Sequence, residues 1–308
     1  MMKIAAISIV KNEADIIELF VKINSRICDH MYVVDGSSDD GTFEILKQLE
    51  NTYKLTVLVE NGLHYFQGQL MTQLVNEIAA SNEYDFIVLL DADEFISKPR
   101  EYLEEVLTAV DPAKTVGLVA WQTYVPLNAN WDDLDSTLYE SFVMRSREPL
   151  PNYKLILPCE IAKTCAIKEG NHDLLGSSDL KRVVLPLSIQ HVPVRSSRQI
   201  VQKTILISHR QSIKPKLESP IEGFHVTLMA KRIRELDYKI DEESLKSIAM
   251  NYCSFKQDQI NDFNYDIKIG HPADRIELKT LRRDNTIKAF DQFLLKLCAE
   301  YNKFIYNR

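Results

Sequence analysis

Apolar residues follow two rhythms along the first hundred positions. Mainly apolar runs at Ile4–Val10, Met31–Val34, Leu55–Val59 and Phe86–Leu90 read as buried strands. Between them the apolar positions repeat at helical spacing. The first stripe is Ile16, Phe20, Ile23 and Ile27, widened by Ile17 and Leu19; the second is Phe43, Leu46 and Leu49; the third is Leu70, Leu74 and Ile78, within 67–80. Strand and helix alternate three times and a fourth strand closes the series. That order predicts an α/β domain, a parallel sheet with helices on both faces, because a strand covered on both sides has no polar face to show. Ligands of such sheets bind in the crevice at the C-terminal strand ends. Val10-Lys11, Asp35 and Asp91–Asp93 all fall at those ends.

After Phe95 the rhythm changes. Residues 101–110 read as a helix stopped by Asp111-Pro112, and 116–120 as a strand. Residues 121–190 mix short apolar runs, prolines and loops, with Trp121, Trp131 and several tyrosines, and predict antiparallel or irregular structure added to the sheet. Aromatics of this kind serve as core or as sugar platforms. A helix is expected over 196–209. Lys214-Pro215-Lys216 and Ser219-Pro220 mark a boundary, dividing 1–218 from a mainly helical extension, 219–308. In that extension Leu245, Ile248, Ala249 and Tyr252, then Phe290, Phe293, Leu294 and Leu297, form amphipathic stretches that offer a partner surface for an oligomer.

Composition narrows the function. The chain has 308 residues, enough for one large domain or two ordinary ones. Its net charge of −7 supplies no basic field for nucleic acid. The five cysteines are scattered, with no Cys-x-x-Cys pair, which suits reduced thiols in a reducing, cytoplasmic compartment. The first ten residues read as a strand rather than a signal peptide. No apolar run approaches a membrane span, so any membrane contact, as at the inner face of a membrane, is expected to be peripheral.

The chemistry concentrates in Phe86–Phe95, where five apolar residues run into Asp91, Asp93 and Glu94. Two aspartates two positions apart can reach one cation as a strand opens into a loop. Clustered carboxylates suit hard divalent ions such as Mg2+ and Mn2+, which often keep phosphates as co-ligands. An isolated Asp-x-Asp is commonly an ordinary acidic turn. Here it ends a series of strand–helix units of the nucleotide-binding kind.

Three blocks carry a resemblance. They are Ile9-Val10-Lys11-Asn12-Glu13-Ala14, Val34-Asp35-Gly36-Ser37-Ser38-Asp39-Asp40-Gly41-Thr42 and Leu89-Leu90-Asp91-Ala92-Asp93-Glu94-Phe95. In that order they resemble the GT-A catalytic domain of family 2 type glycosyltransferases, specifically the bacterial subgroup with a Lys-Asn-Glu start and an Asp-Ala-Asp-Glu-Phe motif. A fourth, looser block is similar to the subgroup's late segment: Gly170-Asn171-His172, then His191, Pro193, Arg195-Ser196, Gln199 and Lys203. Many members have two acids before the Gly-Ser loop, whereas this chain has Val34 before Asp35.

The resemblance implies a GT-A (Rossmann-like nucleotide-diphospho-sugar transferase) mixed sheet, with 1–100 as nucleotide-binding half and 101–218 as acceptor half. It implies a nucleotide-sugar donor, a divalent cation (Mn2+ or Mg2+), and a glycan or lipid-linked acceptor in surface polysaccharide biosynthesis, with inversion. Asp93 would ligate the metal, and Asp91 the metal or the ribose. Asp35 would read the base beside Val10, Lys11 and Glu13. His191 is the further metal ligand implied, with His172 as the alternative. Arg195, Gln199 and Lys203, four apart, share a helix face suited to the diphosphate. The acceptor's proton would go to a carboxylate, with Asp173, Glu94 and Glu160 as choices.

Rival classes fit less well. An Asp-x-Asp phosphatase places its nucleophile after the first strand, where Ser8–Asn12 holds no aspartate. A sugar-phosphate nucleotidyltransferase wants a glycine-rich basic loop there, and Val10-Lys11-Asn12-Glu13 has no glycine. A dinucleotide-dependent dehydrogenase lacks its Gly-x-Gly-x-x-Gly. A catalytically inactive nucleotide-sugar binding or scaffold protein would not need the intact acids.

Overall fold

A computed structural model of the chain describes residues 2–60, 67–126, 142–145, 152–213, 224–250 and 265–268, with Tyr252, Asp291, Leu294 and Leu295. The expected boundary near 218, Trp131, and Phe290, Phe293 and Leu297 lie outside the described residues. Two compact units are present, one of 1–123 and 148–192, the other of 124–147 and 193–308.

The first unit is an α/β domain built on a mixed sheet. Its opening elements are β1 (Ile4–Val10), α1 (Ile17–Asn24), β2 (His30–Asp35), α2 (Thr42–Leu49), β3 (Leu55–Val59), α3 (Gln67–Ala80) and β4 (Phe86–Leu89). β1 pairs in parallel with β2 and with β4, and β2 with β3, giving the order β4-β1-β2-β3. The chain steps outward from β1 to β3, and α3 then carries it back to the other side of β1. Right-handed crossovers place α3 on the face opposite α1 and α2. The side-chain alternation agrees: Ala5, Ile7 and Ile9 of β1 share a core with Met71, Leu74, Val75 and Ile78 of α3. Each such Ile or Leu contributes about 1.5–3 kcal/mol by leaving water. The reversal of direction at β1 opens a crevice beyond the C-terminal ends of β1 and β4.

The sheet then turns antiparallel. Next come β5 (Glu94–Ile96), α4 (Arg100–Thr108), β6 (Thr115–Pro126), β7 (Phe142–Arg145), β8 (Tyr153–Pro158), α5 (Cys159–Ala162), β9 (Ala166–Ile167), β10 (Leu174–Leu175) and β11 (Lys181–His191). β8 lies antiparallel between β4 and β6, while β11 runs parallel to β6 and antiparallel to the short β5. Asn24, fully buried at the end of α1, holds β5 in place. Its Nδ2 donates to the Glu94 carbonyl at 2.9 Å and its Oδ1 accepts from Ile96 N at 3.3 Å.

The second unit contains α6 (Ser197–Ile213), α7 (Phe224–Glu235), α8 (Glu242–Met250) and β12 (Tyr265–Lys268), which pairs with β7. Ile200, Val201 and Ile205 of α6 pack with Met229, Ala230 and Ile233 of α7 and with Leu245, Ile248 and Ala249 of α8. The amphipathic stripe read at 245–249 is thus a core face. Among the described residues no helix is long and apolar enough to cross a membrane, and Cys28, Cys159 and Cys165 are free thiols.

Candidate active site

Two loops meet beyond the ends of β1 and β2, whose last residues, Val10 and Asp35, are register partners. Lys11 Nζ donates to the carbonyls of Gly36 (2.6 Å) and Ser37 (3.0 Å). The backbone N–H groups of Asn12, Glu13 and Ala14 donate to Ser38 Oγ, Thr42 Oγ1 and Asp40 Oδ2, and Asp39 N donates to Asn12 Oδ1. Asn12 and Ser37 hold left-handed backbones, φ 57° and 58°. That conformation costs about 1–2 kcal/mol for a residue bearing a Cβ, which this mesh of hydrogen bonds offsets. Within the mesh Asp35 is buried. Its Oδ2 accepts from Ser38 N at 2.9 Å, while its Oδ1 is buried with no hydrogen-bond partner.

The acids after β4 form a turn. Glu94 N donates to the Asp91 carbonyl at 3.1 Å, and Asp91 N donates to Glu94 Oε2 at 2.9 Å. β5 then pairs with β11 so that Glu94 stands opposite His191, and Val192 N donates to the Asp93 carbonyl at 2.8 Å. This pairing delivers a histidine from far along the chain to the acids. Ligand atoms of Asp93, Glu94 and His191, all buried, lie within 4.8 Å of one another, with His191 Nε2 3.9 Å from Asp93 Oδ1. The imidazole stacks on Trp121 with ring centroids 4.0 Å apart and planes 21° apart, and its Nδ1 is 3.4 Å from Thr123 Oγ1.

Lys154, on β8, is fully buried against the same acids. Its Nζ donates to Asp91 Oδ2 at 2.6 Å and to the Gly170 carbonyl at 3.1 Å, and lies 3.5 Å from Glu94 Oε1 and 5.7 Å from the Trp121 ring centre. Burial drives the Glu94 carboxyl well above the ordinary carboxylate range; Asp91 and Asp93 add to that push and Lys154 opposes it. Burial works to lower the Lys154 ammonium, but Asp91, Glu94 and Asp93 outweigh it and hold the group charged.

A single turn, Glu169–Asn171, borders this cluster. Gly170 has φ +81°, and a Cβ there would come 2.8 Å from the His172 ring, so the turn requires glycine. His172 stands edge-on to Trp121 at 5.0 Å, its Nδ1 2.8 Å from the Tyr153 carbonyl. Asn171 is buried with neither amide atom hydrogen-bonded, and Trp121 Nε1 is likewise buried without a hydrogen-bond partner.

The other expected residues are placed differently. Asp173 is clasped by Lys168 (2.9 Å) and Arg182 (2.8 Å). Burial raises its carboxyl, but these cations and the Leu174 N–H outweigh that and leave it lowered. Glu160 is exposed in the first turn of α5. Arg195 and Lys203 belong to the second unit. There Arg195 is buried, and its N–H donates to Gln199 Oε1 at 3.1 Å. Lys154 escaped the sequence reading. Its only local signal is a lysine set against the apolar run Leu155-Ile156-Leu157.

These residues fit a divalent cation. The donor set is carboxylate oxygen and imidazole, and two buried acceptors, Asp91 Oδ1 and Glu94 Oε1, have no hydrogen-bond partner.

No protein-family model matches the chain, and no curated protein matches it. Solved structures similar to it include S. aureus TarS in complex with UDP-GlcNAc, at 14% identity over 82% of this chain and 80% of that one, TM-score 0.41. A mannosyltransferase from Pyrobaculum calidifontis with GDP-Man and Mn2+ is 15% identical over 77% of this chain and 70% of that one, TM-score 0.39. Glucosyl-3-phosphoglycerate synthase from Mycobacterium tuberculosis, with Mn2+, UDP and phosphoglyceric acid, is 16% identical over 39% of this chain and 43% of that one, TM-score 0.29. These likenesses are distant, and the functional reading rests on the chain's own residues.

Proposed function

We propose that this chain is a metal-dependent glycosyltransferase of GT-A fold and family 2 type. It would move a sugar from a nucleotide-diphosphate donor to a glycan or lipid-linked acceptor of a surface polysaccharide, with inversion. The observation that supports it most is the Asp93–Glu94–His191 cluster, buried beside acceptors that no hydrogen bond uses, at the C-terminal end of β4. The motif block at Asp35 ends the neighbouring parallel strand β2 on the other side of β1.

In this reading Asp93, Glu94 and His191 would hold the cation, with Asp91 beside them. When bound, the cation supplies charge to the departing diphosphate, whose negative charge grows in the transition state. Asp35 presents its unpaired Oδ1 to an N–H of the nucleobase, next to the backbone of Val10 and Lys11 and the buried Glu13. Lys11 and the side chains of the 36–42 loop hold that wall rigid, so little ordering is left to be done on binding. The acceptor hydroxyl must lose a proton to a carboxylate. Glu94 lies in the cluster, and Asp173 would have to shed two cations. Asp173→Asn assigns the step: loss of turnover with donor binding kept makes Asp173 the base, and unchanged turnover leaves the step to Glu94.

A thermal-shift panel of UDP, GDP, CDP and dTDP, each with and without Mn2+, tests the proposal. Ligand at 100 times its Kd stabilises by about 2.7 kcal/mol. A shift with one nucleotide, only when Mn2+ is present, is the expected result. No shift with any of them contradicts the reading.

A further inference from the structure

A lysine with no exposed surface is an expensive way to fill a sheet. Ion pairs in a protein interior rarely return the cost of desolvating both partners, and an apolar side chain of the same volume would hold β8 against β4 and β6 at least as well. Lys154 is nonetheless placed in full contact with the cluster. Its ammonium spends one hydrogen bond on Asp91 Oδ2 (2.6 Å) and one on the Gly170 carbonyl (3.1 Å), and stands 3.5 Å from Glu94 Oε1. The glycine that supplies that carbonyl cannot be replaced without meeting the His172 ring. The carboxyl groups of Asp91, Asp93 and Glu94 crowd this spot, and Lys154 brings the positive charge they face.

We propose that Lys154 is the resident counter-cation of the acidic cluster, and that it makes uptake of the divalent cation depend on the donor's diphosphate. This rests on the glycosyltransferase reading above. A dication entering beside Asp93, Glu94 and His191 meets the fixed ammonium a few ångströms away. At an effective dielectric of about 20, that repulsion is enough to weaken the free ion's affinity by more than about tenfold. A nucleoside diphosphate brings negative charge that attracts both cations and cancels the penalty. Ion and nucleotide therefore bind as a positively coupled pair, each tightening the other by the same factor. Asp91 stays with Lys154 and acts on the ion through charge.

The test uses the full chain and reads Mn2+ binding directly, by calorimetry or by the Mn2+ electron paramagnetic resonance signal, with no turnover required. Mn2+ affinity is measured alone and with saturating UDP or GDP, in wild type, Lys154→Gln and Lys154→Arg. The expected wild-type result is tightening of Mn2+ by at least about tenfold on adding nucleotide. Lys154→Gln binds Mn2+ alone at least about tenfold tighter than wild type and loses most of the coupling, while Lys154→Arg, which keeps the charge, keeps the wild-type pattern. A Lys154→Gln variant that binds free Mn2+ no tighter than wild type overturns the proposal; a purely structural lysine would give that result. If Lys154→Gln does not fold, Lys154→Met replaces it, and equal wild-type Mn2+ affinities with and without nucleotide overturn the proposal on their own. A wild type that binds no nucleoside diphosphate with any cation defeats the glycosyltransferase reading, and the free-Mn2+ comparison of wild type and Lys154→Gln still decides the role of Lys154.

Discussion

Each of the two units buries a group of charged side chains, and the two groups are finished differently. In the second unit Asp291 is fully buried, and both its oxygens are filled. Arg234 donates through Nε (3.0 Å) and Nη2 (3.1 Å), and His209 Nε2 and the Tyr238 hydroxyl complete the set. In the first unit Asp91, Glu94 and Asp35 each keep a buried oxygen with no hydrogen-bond partner, although Lys154 stands close to the first two. A buried charge whose acceptors are all occupied specifies a packing arrangement. One with acceptors in reserve is costly in the free protein and is relieved when a ligand arrives.

The comparison is broken most visibly at Asp291. Asp291→Ala leaves the Arg234 guanidinium without its partner, and the expected loss is about 3–5 kcal/mol in denaturant unfolding. A loss below about 1 kcal/mol would remove the distinction between the two groups. Glu94→Gln sharpens it from the other side. The buried carboxyl, which burial already pushes toward its neutral form, gives way to a neutral amide while Lys154 keeps Asp91, so unfolding stability should stay within about 1 kcal/mol of wild type, and Mn2+ affinity should fall at least about tenfold. Large destabilisation with unchanged Mn2+ binding would make Glu94 a structural residue.

Acid separates the groups as well. Burial alone would raise the Asp291 carboxyl, but Arg234, Tyr238 and His209 outweigh it and leave it below its ordinary value. A carboxylate whose folded-state pKa lies under its unfolded value of about 3.9 lends stability at neutral pH and loses it as pH falls through that region. Wild type should therefore lose stability below about pH 4 faster than Asp291→Asn. Parallel pH curves would contradict the assignment. The smallest effect is expected at Asp173. Its pairs with Lys168 and Arg182 are partly exposed, so Asp173→Asn should cost less than about 1 kcal/mol and leave Mn2+-dependent nucleotide binding intact. A loss of that binding would move Asp173 into the donor site.

What could be read from the sequence follows how local each determinant is. β1 and β4 are buried along their whole length and are written as mainly apolar runs; β3 carries the same pattern although Leu58 and Val59 are exposed, and α1 to α3 carry their stripes in one window each. The parallel sheet and the loops at its strand ends follow from these alone; the order of the strands does not. β11 is hidden within the mixed short apolar runs of 121–190, because its exposed early residues dilute the pattern. β5 is three residues long and exists through its pairing with β11. Lys154 and Trp121 enter the cluster through register: β8 places Lys154 beside the acids, and β6 sets Trp121 opposite Ile189 and Thr123 opposite His191. Register between strands so far apart in the chain leaves no trace in either strand's own sequence. The three motif blocks marked which strand ends to examine, whereas the lysine that neutralises the third block shows only in three dimensions.

The central claim is that the acids after β4 hold a divalent cation for a nucleotide-linked donor. Asp93→Ala tests it most directly, with nucleoside diphosphate affinity measured by calorimetry with and without Mn2+ and folding checked by circular dichroism. We expect a folded variant in which Mn2+ no longer increases affinity, against a strong Mn2+ dependence in wild type. A folded Asp93→Ala protein with the wild-type Mn2+-dependent affinity would contradict the account.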